Sequence, residues 1–384
     1  MSGGNFLIVI ICANLLSIAE QGKFVYIFSS YMAVLLLNIG IFYQGAAILA
    51  PNKKSSYLSN LAKLQAVLAL IFALVAVIFW RFIGPLLNWQ PSIIELSLLF
   101  VYLVGQQLAD FSRRSAYIFY SSTRAMLYSI SLYPLRLLIL LIVRPSNVSQ
   151  VLIIMIITEI FSAASVVKYI GRYDSFDCWW SEVKAHISYS KFFIYCAPLG
   201  WLWIYIPVFI LGYMTDKDQV AILVTIRGLT NMANVFMEQI ENKSVNEWSK
   251  INFNGGSSAV EKNIKSLIAK ASLIWISIFL VFIILGQEII SIALGQVYAQ
   301  YWTILIYGWV AFGLYFLSRV MGIKYRIQGD NKIEYVGYFF GVLISTGLSI
   351  ALIYFYGIYG AAFVYIMAPI GVIITQQLYI KNYR

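Results

Sequence analysis

Charge is scarce in this chain, and histidine and cysteine are nearly missing from it. Charged residues are 11% of the 384 positions against 61% hydrophobic ones, and the mean hydropathy is +0.80. So little polar side chain could not cover a water-soluble globule of this length, so lipid is the solvent the composition calls for. One histidine, His186, reads as part of a polar loop, and the three cysteines, Cys12, Cys178 and Cys196, are far apart with no CxxC spacing. That leaves no readable His/Cys metal site, no disulfide framework and no call for a cofactor. Carboxylates are also few, 16 against 27 basic residues, for a formal net charge of +11. In a chain with 16% aromatics and unbroken apolar runs, that excess marks one membrane face rather than a nucleic-acid partner.

What is present is a series of apolar runs of membrane length. They predict an all-α polytopic membrane protein with about twelve transmembrane helices in two six-helix bundles. The first bundle is 1–170, the second is 192–384, and 171–191 is a cytoplasmic connection between them. The spans run from about Gly4 to Ile18, Tyr26 to Leu49, Leu61 to Phe82, Ile93 to Phe111, Ala125 to Val143 and Val148 to Ile170. After the connection come Phe192 to Tyr213, Val220 to Ile240, Lys270 to Ala293, Tyr301 to Met321, Glu334 to Tyr354 and Gly360 to Tyr379. Pro51 with Lys53 and Lys54 ends the second span, and Glu241 to Lys265 forms a long polar connection between the eighth and ninth. The first apolar run is short for a full crossing, and with no basic region before it a retained helix is expected rather than a cleaved signal.

The basic residues decide the orientation. Twenty-one of them fall where even-numbered spans exit and four where odd-numbered spans exit, which places both termini in the cytoplasm. Trp80, Trp89, Tyr301, Trp302, Tyr354 and Tyr379 stand at span ends, where ring bodies are expected to meet lipid and polar tips water. The longest outward loop, about Arg81 to Ser92, is only about a dozen residues without a carboxylate. Such a loop argues against a polysaccharide polymerase or a membrane-embedded glycosyltransferase.

Charges inside the spans are the candidate functional groups, because lipid penalises them heavily. Arg136 follows Pro134 in the fifth span, and Arg227 lies in the eighth within VAILVTIRGLTNMANVFMEQI. Arg227, Asn231 and Asn234 recur at helical spacing on one face. Glu159 in the sixth span is the deepest carboxylate, and Asp110 sits near the end of the fourth. Two readings stand side by side. Arg136 and Glu159 form a structural pair, with the asparagines joining helices, or the guanidiniums line a cavity and grip an anion bidentately. On the second reading Arg227, Arg136, Asn231 and Asn234 bind substrate, and Glu159 and Asp110 are either an ion-coupling set or structural partners. Pro134, Pro198, Pro207 and Pro369 permit bent spans, as a rocking transporter needs.

The chain resembles the lipid-linked oligosaccharide flippases, including O-antigen transporters, of the multidrug/oligosaccharidyl-lipid/polysaccharide exporter superfamily. The residues that carry the resemblance are AEQGKFVYIFSSYMAVLLLNIGI, RRSAYIFYSSTRAMLYSISLYPLRLLILLIV and IYFYGIYGAAFVYIMAPIGVI, with the twelve-span layout and the basic loop after the eighth span. The resemblance implies a bacterial inner-membrane protein that moves an undecaprenyl-pyrophosphate-linked oligosaccharide, for lipopolysaccharide or a related polysaccharide, from the cytoplasmic to the periplasmic leaflet by alternating access. It also implies a V-shaped pair of bundles around a cationic cavity, at which Arg227 and Arg136 meet the pyrophosphate. A polysaccharide polymerase and a chain-length regulator are the implied partners. The first span is shorter than in relatives. Export of small amphipathic solutes, as in the multidrug branch, is the alternative.

Overall fold

A computed structural model describes residues 3–43, 55–119, 122–170, 179–327 and 332–383. Its elements are α1 (Gly3–Leu15), α2 (Ile18–Asn38) continued by a π-turn (Ile39–Tyr43), α3 (Ser55–Ile83), α4 (Ile93–Phe119), α5 (Ser122–Val143) and α6 (Val148–Ile170). There follow α7 (Trp179–Met214), α8 (Lys217–Leu294), the single turn α9 (Gln296–Ala299), α10 (Thr303–Ile327) and α11 (Lys332–Tyr383). Among the described residues there is no strand, and seven helices are long and apolar enough to cross a membrane. The protein is an all-α polytopic membrane protein. The stop at Pro51 to Lys54 and the segment Gly171 to Cys178 lie outside the described residues.

Two long helices each contain two of the spans read from the sequence. A straight α8 would be about 117 Å long, with Thr230 and Trp275 about 68 Å apart. Yet Thr230 packs on Gly308 and Trp275 on Gly313, five positions apart in α10, and Trp275 and Trp309 exchange indole-to-carbonyl hydrogen bonds of 3.1 Å each way. The chain therefore turns back inside α8. Met237 and Val260 share one apolar cluster with Phe316 and Val320, which puts the reversal between them, in the polar connection. In α11 the turn is at Gly357, whose φ of 56° suits glycine.

Helix ends are closed by side chains. Ser17 accepts from the Glu20 amide and Asp216 from the Gln219 amide, while Ser92 and Glu95 cap α4 reciprocally. Glu20 also accepts from the Val148 amide at 2.8 Å, capping α6 from α2.

The fold forms two compact units, Leu15–Trp201 and Met1–Asn14 with Leu202–Arg384. Thus α1 groups with the later part of the chain, where Asn14 donates to the Ala293 carbonyl at 2.8 Å. In the unit Leu15–Trp201, Trp80 and Trp89 are almost fully buried around Tyr26, and the Trp80 indole donates to the Ser30 hydroxyl. Neither indole belongs to an interfacial belt, because each ring has found an aromatic cluster inside the protein.

The part of 171–191 that is described is helical, not a loop. Val183, His186 and Ser190 are its buried face. His186 bonds the Ile41 carbonyl through Nε2 at 2.5 Å and the Tyr57 hydroxyl through Nδ1 at 2.7 Å. A carbonyl only accepts, so Nε2 carries the hydrogen and Tyr57 donates to Nδ1. Nearby, Asn60 donates to Glu182 at 2.8 Å, and Gly40 lies so close to the Phe193 backbone that a Cβ would meet its carbonyl oxygen at 2.8 Å.

Candidate functional site

In the unit Met1–Asn14 with Leu202–Arg384, four stretches of helix enclose a cavity of about 80 Å³. α8 contributes Arg227, Thr230, Asn231 and Asn234, and α10 contributes Gly308, Ala311, Phe312 and Tyr315. Each set follows the i, i+3, i+4, i+7 spacing of a single helical face. Trp203 and Ile204 come from α7, and Tyr365, Ala368 and Pro369 from α11. Gly308 lets α10 approach, since a Cβ there would stand 3.1 Å from the Thr230 side chain.

Proline shapes this wall by what it withholds. Pro207 has no N–H to offer the Trp203 carbonyl one turn earlier, and the Ser345 hydroxyl takes that carbonyl instead, at 3.1 Å. Pro369 likewise leaves the carbonyl of Tyr365 without its helical donor. The Tyr365 hydroxyl donates to the Ile204 carbonyl at 3.0 Å, which fixes the ring. Arg227 lies over that ring, its guanidinium carbon 4.1 Å from the centroid, and reaches the same Ile204 carbonyl at a long 3.5 Å. Among the described residues no carboxylate is within ion-pair distance of Arg227. Asn234 donates to Asn231 at 3.2 Å, while its own Oδ1 is buried without a partner. A cation on an aromatic platform, with two amides a turn further along, can receive an anionic group that also carries hydroxyls.

The other sequence candidates lie in the unit Leu15–Trp201 and are engaged differently. Arg136 is 1% exposed and Glu159 3%. Their ion pair measures 2.5 Å, and Arg136 Nε also donates to the Thr158 hydroxyl at 3.0 Å. Glu159 keeps its second oxygen buried and unbonded. Asp110 accepts from Arg113 at 2.7 Å and from Arg114 at 2.6 Å, on the next turn of α4. Arg114 and Asp110 line a small cavity of about 20 Å³ with Asn38 and Gln65, two amides without a hydrogen-bond partner among the described residues. The structure thus gathers Arg227, Asn231 and Asn234 into one pocket and holds Arg136, Glu159 and Asp110 in ion pairs elsewhere.

Sequence reasoning missed Trp203, Phe312, Tyr315 and Tyr365. Only the prolines four residues after Trp203 and Tyr365 gave any signal, by marking carbonyls that need a new donor.

The fold and this pocket define a class, helical membrane proteins of two compact units with a cationic, aromatic-walled cavity in one of them. No protein-family model matches the sequence, and no curated protein matches it. Among solved structures the fold is similar to an inward-facing multidrug resistance MATE family transporter of the MOP superfamily. That likeness has a TM-score of 0.76 at 12% identity and covers 99% of this chain and 93% of the other. It is also similar to the lipid II flippase MurJ in an inward closed conformation, with a TM-score of 0.71 at 13% identity over 99% and 85% of the two chains. A third likeness is to the Vibrio cholerae MATE transporter VcmN, with a TM-score of 0.66 at 13% identity over 99% and 93%. At such identities the likeness is one of fold.

Proposed function

We propose that this protein is a transporter that carries an amphipathic anion across a bacterial inner membrane by alternating access. Its substrate is a lipid-linked oligosaccharide, an O-antigen or related polysaccharide unit on undecaprenyl pyrophosphate, moved from the cytoplasmic to the periplasmic leaflet. The observation that carries this reading is Arg227, half-buried on Tyr365 with no carboxylate among the described residues within ion-pair distance. An uncompensated arginine at membrane depth is expensive, and a ligand phosphate would neutralise it with a matched donor fork. The neighbouring amides Asn231 and Asn234 and the aromatic faces of Trp203 and Tyr315 suit sugar hydroxyls and sugar C–H faces.

The similar folds include both multidrug transporters and a lipid II flippase. Small amphipathic solutes are therefore the second reading, but a cation exporter calls for carboxylates in its cavity, and this pocket is lined by an arginine instead. Asn231 and Asn234 act with Arg227. Arg136 with Glu159, and Asp110 with Arg113 and Arg114, are assigned to holding helices together. Both termini are cytoplasmic on the basic-residue distribution, and a polysaccharide polymerase and a chain-length regulator are the natural consumers of the product.

The test is transport per folded molecule in a complementation assay with quantified membrane protein. Arg227→Ala is expected to lose most transport at normal abundance and Arg227→Lys to keep part of it. Unchanged specific transport in Arg227→Ala would sink the anion reading in favour of small-solute export.

A further inference from the structure

The small cavity of about 20 Å³ in the unit Leu15–Trp201 lies where α2, α3 and α4 meet, toward the helix ends that the basic residues assign to the cytoplasm. Asn38 is 3% exposed and Gln65 0%, and both ends of each amide lack a hydrogen-bond partner among the described residues. Four buried polar atoms left in that state are costly, and a species bound between the amides lowers the cost. The volume admits one water molecule or one monatomic ion, and no oxyanion as large as phosphate. Charge decides between these. Asp110 has one oxygen on Arg113 at 2.7 Å and the other on Arg114 at 2.6 Å, so its charge is already met twice over and holds no cation. One carboxylate against two guanidiniums leaves a positive surplus. The other buried pair of this unit, Arg136 with Glu159, is neutral in sum and does not cancel it. At 26% and 19% exposed, the Arg113 and Arg114 side chains are only partly screened by water.

We propose that this cavity binds one monatomic anion of the chloride class, held by the NH2 groups of Asn38 and Gln65 beside the Arg114 guanidinium. The two amides supply the donors, and Arg114, which keeps its bond to Asp110 and its place over the Tyr43 ring, supplies charge. Either amide can turn its NH2 inward, because neither of its ends is bonded among the described residues. The ion gathers one side chain from each of three helices. Asn38 also stands immediately before the π-turn Ile39–Tyr43, whose Ile41 carbonyl is taken by His186 of α7. Anion binding therefore fastens one end of a turn that α7 already holds, and it stabilises this unit. The site belongs to the other unit from the Arg227 pocket and does not depend on the transport reading.

The test uses the full-length protein in detergent micelles, with radiolabelled chloride as probe and gluconate replacing chloride at constant ionic strength. The wild type is expected to bind chloride saturably, with bromide competing and gluconate not, and its thermal midpoint to rise with chloride. Gln65→Met and Asn38→Leu are each expected to weaken binding about tenfold, and Arg227→Ala to leave it unchanged. No saturable binding in the wild type means that the cavity holds water only, and the proposal is overturned. Binding kept in both amide variants places the ion elsewhere and overturns it equally, whichever way Arg227→Ala behaves. A thermal shift that follows sodium at fixed chloride overturns it as well. If the amide variants do not fold, bromide-soaked crystals of the wild type decide. An anomalous peak among Asn38, Gln65 and Arg114 is then expected, and its absence overturns the proposal.

Discussion

Arg136 and Arg227 are the same side chain at comparable depth in two separately packed units, and the structure uses them in opposite ways. Arg136 is sealed among helices with a carboxylate at 2.5 Å and a hydroxyl at 3.0 Å. Arg227 faces a cavity and has a ring at 4.1 Å and one distant carbonyl. Depth in the membrane does not separate the two arginines. What separates them is whether a counter-charge within the protein has already taken up the donors.

The strongest way to break the comparison is to remove each arginine and follow amount and activity separately. Arg136→Ala leaves Glu159 buried without its counter-charge, a loss of about 3–5 kcal/mol when one partner of a buried pair is deleted. The expected outcome is a large fall in membrane-protein abundance. Arg136→Met with Glu159→Gln removes both charges and should restore most of it, read by quantitative immunoblotting of washed membranes. A double variant as depleted as the single one would overturn the structural pairing.

Arg227→Ala should show the reverse pattern. No partner charge is orphaned, so abundance stays near normal. Each charge-assisted bond lost to the substrate is worth about 1.5–3 kcal/mol, or roughly tenfold to a few hundredfold in binding. An abundance defect equal to that of Arg136→Ala, with specific transport unchanged, would erase the distinction between the two arginines.

How far this distinction was legible beforehand depends on what each part of it rests on. The spans were legible because apolar runs broken by proline, glycine and charge are local signals, and each run is helical as far as it is described; the bounds were less so, since α2 and α7 begin well before the expected spans and α8 and α11 each take in two of them. Arg227, Asn231 and Asn234 were legible because a one-face stripe is also local. The pairing of Arg136 could only be offered as one of two readings, since it depends on how α5 packs beside α6. Tyr365 could not be found at all. Its role comes from being 4.1 Å from a side chain far away in the sequence, and one tyrosine among 28 carries no mark of that. Trp80 and Trp89 misled for a related reason, because an indole suits an interface and an aromatic core equally well. His186 read as loop because its helix opens with polar residues, and the buried face that defines it is only three side chains wide.

A smaller effect sharpens the role of the platform. Tyr365→Leu removes the ring under Arg227, a cation–π contact worth about 0.5–2 kcal/mol. It is expected to weaken substrate binding several-fold with abundance preserved. Tyr365→Phe keeps the ring and loses only the hydrogen bond to the Ile204 carbonyl. It should retain most of the binding in the same assay. If phenylalanine is as poor as leucine, the hydroxyl rather than the face is what positions Arg227.

The smallest expected effect concerns His186, the counterpart in the other unit of a side chain held in one protonation state by its neighbours. Burial pushes the imidazole below its ordinary 6.5, and the hydrogen bond to the Ile41 carbonyl only partly opposes this. The folded protein therefore takes up the proton less readily than the unfolded chain. It follows that the contribution of the neutral ring is complete above the unfolded value and is lost as pH falls below about 6.5 toward the depressed folded value. Thermal unfolding of the purified protein should show a lower midpoint at pH 5 than at pH 7.5. His186→Gln is the informative variant, because its amide can donate to Ile41 and accept from Tyr57 without titrating. It should cost little at pH 7.5 and flatten this part of the pH dependence. If the slope between pH 7.5 and pH 5 is the same in His186→Gln, the acid sensitivity belongs to carboxylates elsewhere, and the imidazole is only a spacer between α7, the π-turn that ends α2 and the start of α3.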